Sequence, residues 1–143
     1  MVFEREGLVR LSHTDAAGVI FFPRLLEMAQ ESWEDFLAAN GLALAHGLEG
    51  PRPLLPIVHC EADYRRPMRL GDRFRAQLSL ARAGRSSLGL RHRFLAPDGT
   101  LLAEALTIHV AMERRSGQPV PLSDDLRGLL ERLRTDETAD GRG

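Results

Sequence analysis

The chain contains no lysine. All 19 of its cationic side chains are arginine, which excludes Schiff-base chemistry on a lysine amine and any phosphate loop built on lysine. Phosphate recognition itself stays open, because the arginine fork suits it. Cysteine is almost absent as well. Cys60 stands alone, so no intrachain disulfide can form, and its neighbour His59 projects to the other side of a strand, which leaves a buried, inert thiol as the expectation. No apolar run approaches the roughly 20 residues of a membrane span, and the first residues lack a signal-peptide pattern, so a cytoplasmic protein with no membrane partner is expected. The net charge of −1 supplies no basic field for nucleic acid. The five histidines, at 13, 46, 59, 92 and 109, show no metal-ligand spacing, and neither a metal nor a redox cofactor is expected.

What is present is ordinary globular material: 143 residues, 43% hydrophobic and 27% charged, enough for one domain with a real core. Phe3 to Leu11 reads as a first strand. Ser12 to Phe21 reads as a loop. Leu25, Leu26, Ala29, Trp33, Phe36 and Leu37 recur at helical spacing. Pro23 suits the first turn of that helix and Asn40-Gly41 suits its end, so a long helix spans Pro23 to Ala39.

Leu42 to Pro53 is a connector, and four strands follow: Ile57 to Arg65, Arg73 to Ala81, Ser86 to Leu95 and Leu101 to Met112. Phe74, Ala76, Leu78 and Leu80 alternate with polar residues, as do Leu88, Leu90, His92 and Phe94, and Gly71-Asp72, Gly84 and Pro97-Asp98-Gly99 supply the turns. Ser123 caps a short last helix. Residues 1–134 form the expected single domain, with 135–143 a polar, disordered tail.

One long apolar helix and an antiparallel meander must bury their faces against each other. The expected class is therefore α+β: a sheet wrapped around a central helix in the order β-α-β-β-β-β plus a short C-terminal helix, which is the hotdog arrangement. Its exposed sheet edges favour pairing into an oligomer.

The chemistry concentrates in Thr14-Asp15-Ala16-Ala17-Gly18-Val19-Ile20-Phe21-Phe22-Pro23. An acid in a small-residue turn is held close to a helix N-terminus, where unpaired N–H groups favour an oxyanion. Those two parts suffice to cleave a thioester, since a thiolate can leave without a general acid. Read without a site, Asp15 is a turn residue bonding its own backbone.

This motif, with Leu55-Pro56-Ile57-Val58-His59-Cys60-Glu61-Ala62-Asp63-Tyr64, Pro67 and Leu70-Gly71-Asp72, resembles the 4-hydroxybenzoyl-CoA thioesterase group of hotdog proteins. The resemblance covers Phe3 to Glu113 and is strongest to the cyanobacterial branch that hydrolyses 1,4-dihydroxy-2-naphthoyl-CoA in phylloquinone (vitamin K1) synthesis. It implies that Asp15 is the catalytic aspartate, as nucleophile or general base, and that the backbone N–H of Phe22 polarises the thioester carbonyl. Many short-chain acyl-CoA thioesterases of this group carry histidine where Phe22 stands, so Phe22 fits an aromatic acyl group instead. The resemblance also implies an acyl-CoA substrate, a homo-oligomer built as a dimer of dimers, and a coenzyme A site at Arg85, Ser86 and Ser87, often across a subunit interface.

Rival readings remain at this stage. Glu27 and Glu31, one helical turn apart, are alternative carboxylates. Arg82, Arg85, Arg91 and Arg93 cluster around one hairpin as a phosphate cradle or a solvated edge. The activity could fall on 4-hydroxybenzoyl-CoA or a fatty acyl thioester. A dehydratase would pair a histidine with the acid, and a non-catalytic acyl-CoA binder would release no thiol.

Overall fold

A computed structural model describes residues 2–42 and 52–138. His46 and most of the 42–53 connector fall outside the described residues. The elements are β1 (Phe3–Leu8), a 3-10 turn (Leu11–His13), α1 (Pro23–Ala39), β2 (Ile57–Tyr64), β3 (Arg73–Ala83), β4 (Ser87–Leu95), β5 (Leu101–Val110) and α2 (Asp124–Glu131). The strands form one antiparallel sheet in the order β1-β3-β4-β5-β2, with α1 packed across its inner face against β1 and β3. This is the hotdog arrangement.

Local chemistry sets the elements. Pro23 opens α1, and Gly41, at φ +80°, ends it in the left-handed region that glycine enters freely. Ser123 caps α2 by accepting from Leu126 N–H at 3.2 Å. Gly7 pairs with Phe74 across β1 and β3; a Cβ there would meet the Phe74 ring at 2.2 Å, so glycine makes room for a core aromatic.

The first half of α1 (Leu25, Met28, Ala29) sits on Met68, Phe74 and Phe94, and its second half (Trp33, Phe36, Leu37) sits on Leu78, Leu80, Leu88 and Leu90. A buried polar group lies in the same interior: Ser32, His92, Thr107 and His109. His109 Nδ1 lies 3.2 Å from Leu55 O, and both His109 Nε2 and His92 Nε2 lie 3.1 Å from Thr107 Oγ1. The carbonyl accepts only, so His109 carries its proton on Nδ1. Thr107 must then donate to His109 and accept from His92. Burial, then the neighbouring His109 and Arg5, lower the His92 pKa to about 3, and burial lowers that of His109. Both rings are neutral at pH 7.

Three expectations need correction. Cys60 is exposed rather than buried, because β2 is a sheet edge and α1 packs against β1 and β3 toward the opposite edge. β1 stops at Leu8, where the chain turns into the 3-10 segment. Residues 135–138, at the start of the stretch read as tail, form a turn on β3. Thr138 Oγ1 donates to Leu80 O at 2.7 Å, and Leu80 N–H donates to Leu133 O at 2.8 Å. Residues 139–143 lie outside the described residues.

Candidate active site

Asp15 sits in a loop tied down along its length. Thr14 bridges Ile20 and Val19 bridges Arg69. Asp15 N–H donates to Val19 O (3.0 Å), and Gly18 N–H donates back to Asp15 O (3.1 Å). Gly18 makes this turn possible at φ +77°. Ile20 N–H donates to Met68 O (2.7 Å) and Leu70 N–H to Gly18 O (3.0 Å), so the loop rests on the connection between β2 and β3. Ala17 N–H donates to Asp15 Oδ1 at 2.8 Å. This is the turn contact that the sequence allowed, and it orients the carboxylate. Oδ2 has no partner among the described residues, and the side chain is exposed in the single chain.

The loop runs directly into the mouth of α1. Phe21 N–H donates to His13 O (2.8 Å) and Arg24 N–H to Phe21 O (2.8 Å), while Pro23 has no N–H. Phe22 already has helical dihedrals (φ −51°, ψ −38°), and its N–H has no acceptor among the described residues. One unused donor therefore stands at the positive end of the helix, on the strap that carries the acid. Phe22 is 65% exposed. Its carbonyl accepts a hydrogen bond from the Tyr64 hydroxyl at the end of β2.

The rival carboxylates are engaged. Glu27 Oε1 lies 2.7 Å from Arg24 Nη1, and Glu31 lies 3.5 Å from Arg5. His13 accepts from Arg10 N–H (2.9 Å) through Nδ1 and makes no bond to Asp15. No group of three potential metal ligands occurs among the described residues.

Arg85, Ser86 and Ser87 lie at the other end of the molecule. The hairpin is held through its backbone: Arg127 Nη2 donates to Gly84 O (2.7 Å) and Arg85 O (2.9 Å), Leu122 N–H to Arg85 O (2.8 Å), and Ala111 N–H to Ser86 O (2.8 Å). The side chains are left without hydrogen-bond partners among the described residues. Arg73 pairs with Leu8, near the Asp15 loop, and β3 runs eleven residues from it to Ala83, two short of Arg85, roughly 33 Å at ~3.3 Å per residue. One chain therefore does not bring Asp15 and Arg85 together. Arg91 and Arg93 also leave the expected cradle, because they pair with Glu104 and Glu137 on the outer sheet face. At the Arg85 end lies an apolar cavity of about 370 Å³, lined by Trp33, Leu37, Leu54, Leu55, Leu122 and Leu126 among others.

Sequence reasoning missed the Tyr64–Phe22 bond and the His92–Thr107–His109 chain. The alternation puts Tyr64 on the same face of β2 as Ala62, which packs on the core, but nothing in the sequence joins residues 22 and 64.

A family model described as the thioesterase-like superfamily matches residues 9–130. The 1,4-dihydroxy-2-naphthoyl-CoA hydrolase of Rippkaea orientalis (strain PCC 8801 / RF-1) is 35% identical over 131 residues, covering 90% of this chain and 95% of that protein. The protein of the same name from Synechococcus sp. (strain CC9311) is 38% identical over 130 residues, covering 86% and 85%. The crystal structure of Slr0204, a 1,4-dihydroxy-2-naphthoyl-CoA thioesterase from Synechocystis, superposes with a TM-score of 0.86 at 28% identity, covering 93% of this chain and 98% of that one.

Proposed function

The chain belongs to the thioesterase-like superfamily, and from that premise we propose that it hydrolyses 1,4-dihydroxy-2-naphthoyl-CoA to 1,4-dihydroxy-2-naphthoate and coenzyme A, in the cytoplasm and as a step of phylloquinone synthesis. The observation that carries this reading is the Asp15 strap, with a free carboxylate oxygen and, seven residues on, an unused N–H at a helix mouth. The relatives named for this substrate, alike over nearly the whole chain, support the choice of acyl group.

In this mechanism the thioester carbonyl oxygen accepts from Phe22 N–H. Asp15 either attacks the carbonyl carbon, giving an anhydride that water then opens, or takes a proton from a water whose oxygen attacks. The oxyanion gathers its negative charge at the helix N-terminus. Its collapse breaks the carbon–sulfur bond and releases coenzyme A as thiolate, whose pKa lies near the ordinary thiol value of about 8.5. Water supplies the oxygen of the product acid. The chemistry calls for no metal or redox cofactor.

The site is completed by a second copy. β2 is an exposed edge with no outer strand partner among the described residues. Antiparallel pairing of two β2 strands about a two-fold axis sets the Tyr64 end of one beside the Ile57 end of the other. The Ile57 end is also the Ser86–Ser87 end, because Ile57 pairs with His109 and Ser87 with Val110. The partner's Arg85–Ser87 hairpin then cradles the coenzyme A phosphates, and the partner's apolar cavity lies on the side of the acyl ring. Two such dimers form the tetramer.

A free-thiol assay over a panel of acyl-CoAs tests the reading. Fastest kcat/KM on the dihydroxynaphthoyl thioester is the expected result. Preference for 4-hydroxybenzoyl-CoA or fatty acyl-CoA would move the substrate within the family, and binding without thiol release would refute the hydrolase.

A further inference from the structure

Tyr64 is the only tyrosine in the chain, and among the described residues it makes the one side-chain hydrogen bond between β2 and the helix mouth. Its hydroxyl donates to the carbonyl of Phe22, 42 residues away in sequence. That carbonyl also faces the first turn of α1, with Leu25 N–H at 3.4 Å. Phe22 is thus held by a phenol on one side of its α-carbon, while the N–H on the other side is left free.

Resting on the thioesterase reading above, we propose that Tyr64 is a positioning residue for the oxyanion donor. By anchoring the Phe22 carbonyl it fixes the dihedral angles of Phe22 and so aims the Phe22 N–H at the place where the thioester oxygen gathers charge. It does not touch the reacting atoms. Three features of the structure fit this role. First, a proline follows Phe22 and removes one of the neighbouring N–H donors, so the aim of the remaining one matters more. Second, no other side chain bonds the Phe22 backbone among the described residues. Third, burial raises the pKa of the phenol above its ordinary value, so the hydroxyl stays protonated and able to donate across the neutral range.

The location adds a consequence. Tyr64 is the last residue of β2, the edge proposed to meet a second copy. Seating of that edge is transmitted to the helix mouth through one hydroxyl.

The test is Tyr64→Phe, which keeps the ring and deletes the donor. Thiol release, melting temperature and oligomeric state are measured beside the wild type. The expected result is a kcat lower by about tenfold with KM within about twofold, the pattern of an interaction made in the transition state, and an unchanged oligomer. Para-aminophenylalanine at position 64, whose amine can donate in place of the hydroxyl, should restore most of kcat; this arm keeps the test decisive should Tyr64→Phe fold poorly. A Tyr64→Phe enzyme with wild-type kcat overturns the positioning role. So does an amine variant that folds and assembles normally but stays as slow as a folded Tyr64→Phe. Wild-type protein that releases no thiol defeats the thioesterase reading instead, so the two failures are told apart by the wild-type trace.

Discussion

β1 and β2 are the two edges of one sheet, and the chain finishes them differently. β1 is tied into its own protomer. Arg5 donates to Ser32 Oγ (2.8 Å) and Met28 O (2.7 Å) and reaches Glu31 and Asp35. Glu4 meets Gln77 and Arg75, and the Phe3 ring stands edge-on to Phe36 at 5.5 Å. β2 is exposed along nearly its whole length; Val58 is 52% exposed, and the contact of His59 Nε2 with Glu61 at 3.5 Å lies within the strand. Charged, tied-down edges resist association, whereas apolar open ones invite it. The unfinished edge is also the one that carries Tyr64 to the helix mouth. What β2 lacks in packing within the chain, a second copy is proposed to supply together with the missing half of the site.

The largest effect should come from spoiling the open edge. Ile57→Asp combined with Val58→Asp puts two charges into it, and should give monomers whose thiol release falls by more than about a hundredfold, because the phosphate cradle is lost with the partner. Glu6→Lys on β1 should leave mass and kcat/KM within about twofold. Sedimentation and the thiol assay read both, and an active monomer would break the comparison.

Between the edges, beneath β4 and β5, the neutral histidine chain makes stability depend on pH. Both pKa values are lowered on folding, so the unfolded chain binds the protons first. This contribution is complete above the unfolded value of about 6.5 and shrinks as pH falls from there towards about 3. His92 alone should remove roughly 2 kcal/mol at pH 5 relative to pH 8. Chemical denaturation at the two pH values measures it, and His92→Asn should flatten the dependence. An unchanged midpoint in the wild type would contradict the buried, neutral assignment.

A smaller effect is expected at the far hairpin. Arg85→Ala should raise KM about fivefold while kcat moves less than about twofold, as befits a group that binds phosphate equally in ground and transition states. An unchanged KM would remove Arg85 from the cradle. The smallest belongs to the closed edge: Glu4→Gln should cost less than about 1 kcal/mol, the scale of exposed ion pairs, by the same denaturation.

Much of this was legible in the residues. The bounds of α1, the consecutive hairpins of β3, β4 and β5 and the cap at Ser123 follow from periodicity and turn chemistry, which are local, whereas β2, read as the first strand of the same meander, pairs with β5 instead of β3. The Asp15 strap was legible because its parts lie within ten residues of one another. What was hidden depends on pairing between distant segments. Cys60 looked like a buried residue because its strand looks like any other, and only the sheet order shows that β2 is an edge. The separation of Arg85 from Asp15 within one chain was hidden as well, because it depends on the length of β3 and on where the Asp15 loop folds back. The Tyr64–Phe22 bond and the Thr107 hydroxyl shared by His92 and His109 join positions that no local pattern links.

The account stands most directly on Asp15→Asn, which keeps the side-chain oxygen that accepts from Ala17 N–H and removes the carboxylate charge. Its turnover of 1,4-dihydroxy-2-naphthoyl-CoA, measured by thiol release on protein of wild-type melting temperature and mass, should fall by at least about a hundredfold. Turnover within a few-fold of wild type would contradict the assignment of the cleavage to that acid.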